Sequence, residues 1–178
     1  MREEVSGFLD MKQQLGSPGV FTIPEVATWR SSHSMKTVHK SVLIWFSAEE
    51  MFALVTDVAR YPEFLPWCDK AGVVEERDDG MTAEIGMAFS GLHKSFTTRN
   101  THVPGRQVNL ALVNGPFKHL EGVWKFVPLG DQRACRIELT LNYSFDSVLG
   151  ALVGPVFDRI AATLVDAFVK RAEQVYKA

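Results

Sequence analysis

The chain has 178 residues, 46% of them hydrophobic and 22% charged, with a formal net charge of −2 at pH 7. That length fits one domain plus a tail, and the apolar share supplies an ample core. The near-neutral balance excludes a global basic field of the kind that draws proteins to DNA, while a local basic patch stays open. Cys68 and Cys135 are far apart and lack metal-ligand spacing. One disulfide is arithmetically open, but two buried free thiols in a reducing cytoplasm are expected. The longest uncharged apolar-rich run, SVLGALVGPVF at 147–157, falls well short of the ~18 residues that span a bilayer. The opening MREEVSGFLD places acids where a signal peptide would be basic. A membrane would therefore be met from outside, with peripheral contact at the inner membrane as the extension of a cytoplasmic location.

Residues 1–34 are weakly periodic, with a GSPG turn at 16–19, Pro24 and a polar SSHS run at 31–34. They read as a poorly ordered extension or as the product of an upstream start codon, since Met35 stands where sustained patterning begins. The working domain is then 35–178, whose 16 Lys and Arg against 17 Asp and Glu leave no hidden basic domain. Val38, Lys40, Val42, Ile44 and Phe46 alternate with His39, Ser41, Leu43 and Trp45, which predicts a strand. Ser47 with Glu50 three residues on forms a capping box for a helix over 48–55 that buries Met51, Phe52, Leu54 and Val55. Asp57 restarts a short helix, which Pro62 and Pro66 end. Between and after these prolines, YPEFLPWC (61–68) spends Tyr61, Phe64, Leu65 and Trp67 where a turn would be polar. Such a loop must cover an apolar surface, either the ordinary core or a ligand pocket.

Strands are predicted near 71–77, 80–90, 93–103, 107–113, 119–128 and 133–145. Turns at Asp78-Asp79-Gly80, Pro104-Gly105 and around Leu129-Gly130-Asp131 link them into an antiparallel meander. In the last strand Cys135, Ile137, Leu139, Leu141, Tyr143 and Phe145 share one face and Arg136, Glu138, Thr140, Asn142 and Ser144 the other, a sheet with a dry and a wet side. Met81, Ala83, Ile85, Met87 and Phe89 repeat the scheme, as do Leu120, Gly122, Trp124 and Phe126. A closing helix is expected near 155–177, with Gly154 as the break before it and Pro155 in its first turn. Leu149, Leu152, Val153, Val156, Phe157, Ile160, Leu164, Ala167 and Phe168 share its broad apolar arc. The uncharged run 147–157 is either an ordinary helix start or a mobile gate beside FLPWC. The architecture that follows is α+β, a curved antiparallel sheet wrapped around a long C-terminal helix.

YPEFLPWC (61–68), FTTRN (96–100), LVNGPFKHLEGVWKF (112–126) and VFDRIAATLVDAFVKRA (156–172) resemble the coenzyme Q-binding protein COQ10 family. Its bacterial members are also called ribosome association toxins of the RatA type. Both sit in the wider START-like, polyketide cyclase-related group with the helix-grip fold. The likeness covers about 36–177, and GPFKHL with an unbroken FLPWC is closer to the bacterial branch. The resemblance implies a lipophilic cavity between sheet and final helix, holding ubiquinone or a related isoprenoid in support of respiratory electron transport. The alternative it implies is a toxin that binds the large ribosomal subunit and blocks subunit association.

A curved sheet cannot touch a straight helix along its whole length, so a hollow lined by both dry faces is physically natural. Candidate ligand-binding residues are Phe64, Leu65, Pro66 and Trp67 from the loop, and Val156, Phe157, Ile160 and Leu164 from the helix. The sheet offers Met87, Phe89, Leu112, Phe117, Trp124, Phe126 and Tyr143. Any one of these could simply fill a core. A pocket of the usual ~300–1,000 Å³ would take a quinone ring and a few isoprene units, so a long tail must protrude or stay in lipid. The ring is expected near Trp67, Tyr143 or Trp124, with the tail along the helix.

Chemistry is scarce in the sequence. His33, His39, His93, His102 and His119 show no metal spacing, and no GxSxG, Walker or Rossmann pattern appears. Glu84 falls on the wet face. Neither catalytic nor metal-binding residues are assigned, no cofactor is required, and an enzyme is not expected. Lys94, Arg99, Arg106, Lys118 and Lys125 are the residues that would serve a ribosomal partner.

Overall fold

A computed structural model describes residues 35–89, 91–130 and 133–177; the extension expected over 1–34 lies outside the described residues. The elements run β1 (Lys36–Ile44), α1 (Ala48–Thr56), a 3₁₀ helix (Val58–Glu63), β2 (Cys68–Arg77), β3 (Gly80–Phe89), β4 (Leu92–Val103), β5 (Gln107–Asn114), β6 (Phe117–Pro128), β7 (Cys135–Phe145) and α2 (Ser147–Tyr176). The strands form one antiparallel sheet in the order β1-β7-β6-β5-β4-β3-β2, a meander of six closed by β1 against β7. The helix-grip architecture expected from alternation is the one observed.

Local chemistry explains the element boundaries. Ser47 Oγ accepts from the Glu50 amide at 3.1 Å and Glu50 Oε2 accepts from the Ser47 amide at 2.7 Å, a complete capping box. Pro62 sits inside the 3₁₀ helix, whose fixed φ suits that tight turn. The FLPWC segment then feeds straight into the sheet: Trp67 O accepts from the Ala88 amide at 2.8 Å, and β2 begins at Cys68. Both cysteines are buried free thiols, pushed up to about 11 by desolvation and so inert at neutral pH.

The closing helix corrects the sequence reading. It starts at Ser147, eight residues before the expected first turn, and Pro155 lies within it. Proline forfeits a single bond, to the Ala151 carbonyl, and normally also clashes with the Cβ of the preceding residue. That residue is Gly154, which has no Cβ, so the helix passes through. Leu152, placed on the apolar arc by its spacing, is instead 68% exposed.

Beneath α2 the dry face of the sheet carries two hydrophobic clusters. One gathers α1, the 3₁₀ helix, Trp124, Phe126, Ile137, Leu139, Val165 and Phe168. The other gathers Phe96, Phe117, Leu141, Tyr143, Phe145, Val153 and Phe157.

Candidate functional site

The seam between these clusters is where a hollow remains. Phe157 and Phe168 are eleven residues apart on α2, about 16 Å along the axis and within about 20° of the same face. Each is the hub of an aromatic group. Around Phe168 stand Tyr61, Phe64 and Trp124 at centroid separations of 5.3, 5.1 and 5.2 Å. Around Phe157 stand Phe117, Tyr143 and Phe145 at 4.9, 4.7 and 5.7 Å. These edge-to-face contacts hold helix and sheet apart as two piers. Between them α2 presents Ile160, Ala161 and Leu164, and the small Ala161 leaves the space unfilled. On the sheet, a Cβ at Gly122 would lie 2.9 Å from Leu141 Cδ1 and 3.2 Å from Leu110 Cγ. Its absence lets both leucines lie flat against the floor.

The resulting cavity has a volume of about 80 Å³ and is lined by Tyr61, Leu65, Trp67, Ile85, Phe96, Thr98, Leu110, Leu120, Trp124, Leu141, Phe157, Ile160, Ala161, Leu164 and Phe168. It is smaller than the ~300 Å³ at which pockets for drug-sized ligands begin. The half-buried members of the wall are Trp67, Ile85, Leu110 and Leu164, and of these a ring would have to displace Trp67 and Leu164, which come from the loop and the helix rather than from the sheet.

Six candidates from the sequence meet on this wall: Leu65, Trp67, Trp124, Phe157, Ile160 and Leu164. The other candidates lie off this wall or, for one of them, outside the described side chains. Pro66 is exposed, because the chain turns outward between Leu65 and Trp67. Phe64 points to the outer side of Phe168, where Arg171 lies 5.4 Å over its ring and pairs with Glu63. Met87 and Phe117 are buried in the second cluster, behind the wall, and Leu112 packs at its margin. Phe126 is wedged between Trp124 and Phe52. Tyr143 is a pier residue whose hydroxyl donates to Asp158 Oδ1 at 2.7 Å, so it is not free for a ligand. Val156 is half-buried off the wall, and the side chain of Phe89 lies outside the described residues.

Apart from Tyr61 and Ala161, the missed wall residues fall into two kinds. Ile85, Leu141 and Leu120 lie on dry faces that alternation had assigned, and Phe168 on the assigned helix arc. Alternation gives the face of a strand but not which step lies under Ile160–Leu164, and that choice needs the register. Phe96, Thr98 and Leu110 come from strands whose facing the pattern left unread, because polar residues interrupt it.

The wall is chemically quiet. Among the described residues lining it, no carboxylate, imidazole, amine or thiol occurs, and the Tyr61 hydroxyl donates to the Val55 carbonyl at 2.6 Å. Burial raises the Tyr61 phenol well above its ordinary value, so it stays protonated. Glu84, on the wet face as expected, pairs with Lys70 at 2.5 Å. No group of three or more His, Cys, Asp or Glu that could hold a metal ion occurs among the described residues. No helix among them is long and apolar enough to cross a membrane.

Residues 44–169 match the family described as polyketide cyclase/dehydrase and lipid transport. Over 143 residues the chain is 47% identical to the ribosome association toxin RatA of Vibrio cholerae, covering 80% of this chain and 99% of that one. It is 30% identical over 141 residues to the mitochondrial coenzyme Q-binding protein COQ10 homolog B of Xenopus laevis, covering 77% of this chain and 58% of that one. Among solved structures, the ZhuI aromatase/cyclase of a Streptomyces species superposes with a TM-score of 0.69 at 19% identity, covering 79% of this chain and 95% of that one. That last likeness is one of fold.

Proposed function

The chain belongs to the polyketide cyclase/dehydrase and lipid transport family, among the relatives of RatA and COQ10, and from that premise we propose that it binds a ubiquinone-like isoprenoid without transforming it, in support of respiratory electron transport. What supports this reading is the hollow between Phe157 and Phe168, apolar on nearly every side and without an acid–base pair. Burial of ring and proximal tail would gain ~25 cal/mol per Å² removed from water. The distal tail would remain in lipid, which makes the protein a presenter of its ligand rather than a store.

The test is purification from cells that make ubiquinone, followed by mass spectrometry of the co-purified lipid. Wild-type protein should carry an isoprenoid quinone, and Ala161→Phe, which fills the hollow, should carry none while keeping its circular dichroism. Equal lipid content in both would overturn the proposal.

A second reading, association with a ribosomal subunit, is favoured by the 47% identity to a toxin named for that activity. Lys94, Arg106, Lys118 and Lys125 stand exposed on the outer surface, whereas Arg99 is occupied by Asp79. Binding through such residues would weaken steeply as salt rises. Quinone binding would hardly respond to salt and would instead respond to Trp67→Ala.

A further inference from the structure

The dry face of β4 differs from its neighbours. On β3 that face reads Met81, Ala83, Ile85, Met87, and on β7 it reads Cys135, Ile137, Leu139, Leu141. On β4 it reads Phe96, Thr98, Asn100, His102. Thr98 is 3% exposed and Asn100 9%, two of the three buried polar residues among those described. They are successive on one face, so about 7 Å apart. Thr98 is on the cavity wall, and Leu110, the β5 residue opposite Asn100, is on it as well. Asn100 Oδ1 has no hydrogen-bond partner among the described residues.

A buried amide oxygen without a partner is a cost that a folded protein ordinarily avoids. Leucine has the same branching and number of side-chain heavy atoms and would remove it. An asparagine retained at such a place suits a group that arrives with the ligand. Of the nearby hydroxyls, that of Tyr61 on the wall is engaged by Val55, and that of Tyr143 behind it is engaged by Asp158. The geometry points to Thr98 on the wall, with Asn100 one step beyond it on the same face, as the polar end of the hollow, a hydrogen-bonding anchor for the ring oxygens of a quinone-type head group. This rests on the lipid-binding reading above and sharpens it by fixing where the head goes.

The residue types carry a further consequence. An asparagine amide offers N–H donors on one side and a carbonyl acceptor on the other, and a threonine hydroxyl donates or accepts by rotation. A quinone carbonyl needs a donor and a quinol hydroxyl needs an acceptor. The atom left without a partner among the described residues is the Asn100 acceptor, which a quinol hydroxyl meets directly, whereas a quinone carbonyl must take its donor from Thr98 or from a turned amide. Both oxidation states should bind, the quinol more tightly. The head would then lie toward β4, with the tail leaving past Trp67 and Leu164.

The experiment compares wild type, Asn100→Leu and Thr98→Val with two probes: ubiquinone-2, and squalene as an isoprenoid without ring oxygens. Binding is read by tryptophan quenching for the quinone and by competition for squalene. Each variant should weaken ubiquinone-2 binding about five- to tenfold, the loss of about one hydrogen bond, and leave squalene unchanged. Ligand-free Asn100→Leu should melt at the same temperature as wild type or higher. Variants that bind ubiquinone-2 as wild type does, or an Asn100→Leu that melts markedly lower, would overturn the anchor and leave the cavity reading standing. Wild type that takes up neither probe would instead overturn the cavity reading and the anchor with it.

Discussion

The two halves of α2 do opposite jobs against the same sheet. The C-terminal half buries Val165, Phe168 and Ala172 and is closed from the other side by α1 and the 3₁₀ helix. Its end is tied down twice: the Tyr176 hydroxyl donates to the Glu50 carbonyl at 3.1 Å, and Arg133 joins the Glu50 carboxylate to the Tyr176 carbonyl. The N-terminal half contains Gly150, Gly154 and Pro155, lacks one backbone bond, and leaves Val148 81% and Leu152 68% exposed. The hollow lies between a braced end and a loosely held one. Where a small cavity must enlarge to admit a ring, the loosely held end is the one that yields at least cost.

That contrast can be broken at several points. Phe168→Ala removes the hub of the braced half, and it should cost about 3–5 kcal/mol in denaturant unfolding. A loss near 1 kcal/mol would mean that this half is not the anchor of the fold.

Glu50→Gln should cost about 0.5–1 kcal/mol near pH 7, the scale of a partly exposed ion pair, because glutamine can keep the capping box but not the charge that meets Arg133. The hydrogen bond from Arg133 holds the Glu50 carboxyl below its ordinary 4.5, against the opposing effect of burial. A depressed value means the contribution is full above 4.5 and fades as pH falls through the lower, folded-state value. Melting temperatures of wild type and variant should therefore converge on acidification below that point. Parallel curves down to the acid limit would show that the charge is not what braces this end.

Gly154→Ala sharpens the contrast from the other side. A Cβ there meets nothing within 4 Å outside its chain neighbours, but it would run into the Pro155 ring, and that clash should outweigh the gain in helix propensity and cost about 1 kcal/mol. Amide exchange over 147–157 should quicken, and stopped-flow uptake of ubiquinone-2 should quicken with it. Faster exchange with unchanged uptake would place the opening elsewhere. Leu152→Ser, on the exposed face, should shift stability by no more than about 0.5 kcal/mol. A larger loss would show that this face is packed in solution.

Much of this architecture could be read before any coordinates. Alternation placed the dry faces of β6 and β7 correctly at every step, and Ser47 with Glu50 marked the start of α1. The same rule failed on β4, where Thr98 and Asn100 break the apolar pattern. It failed because a buried polar residue carries no mark of its burial in the sequence: Thr98 lines the hollow and Asn100 lies one step beyond it. The early start of α2 was hidden for a related reason. Gly154-Pro155 reads as a stop signal, and only the missing glycine Cβ makes it passable.

Periodicity decided which side of each strand and helix turns away from water, because that depends on neighbours two or four residues off along the chain. Which of those side chains face each other across the gap between sheet and helix depends on register and on the two aromatic piers. Those are contacts between residues far apart in sequence, and only the assembled fold brings Thr98, Ala161 and Trp67 around one space.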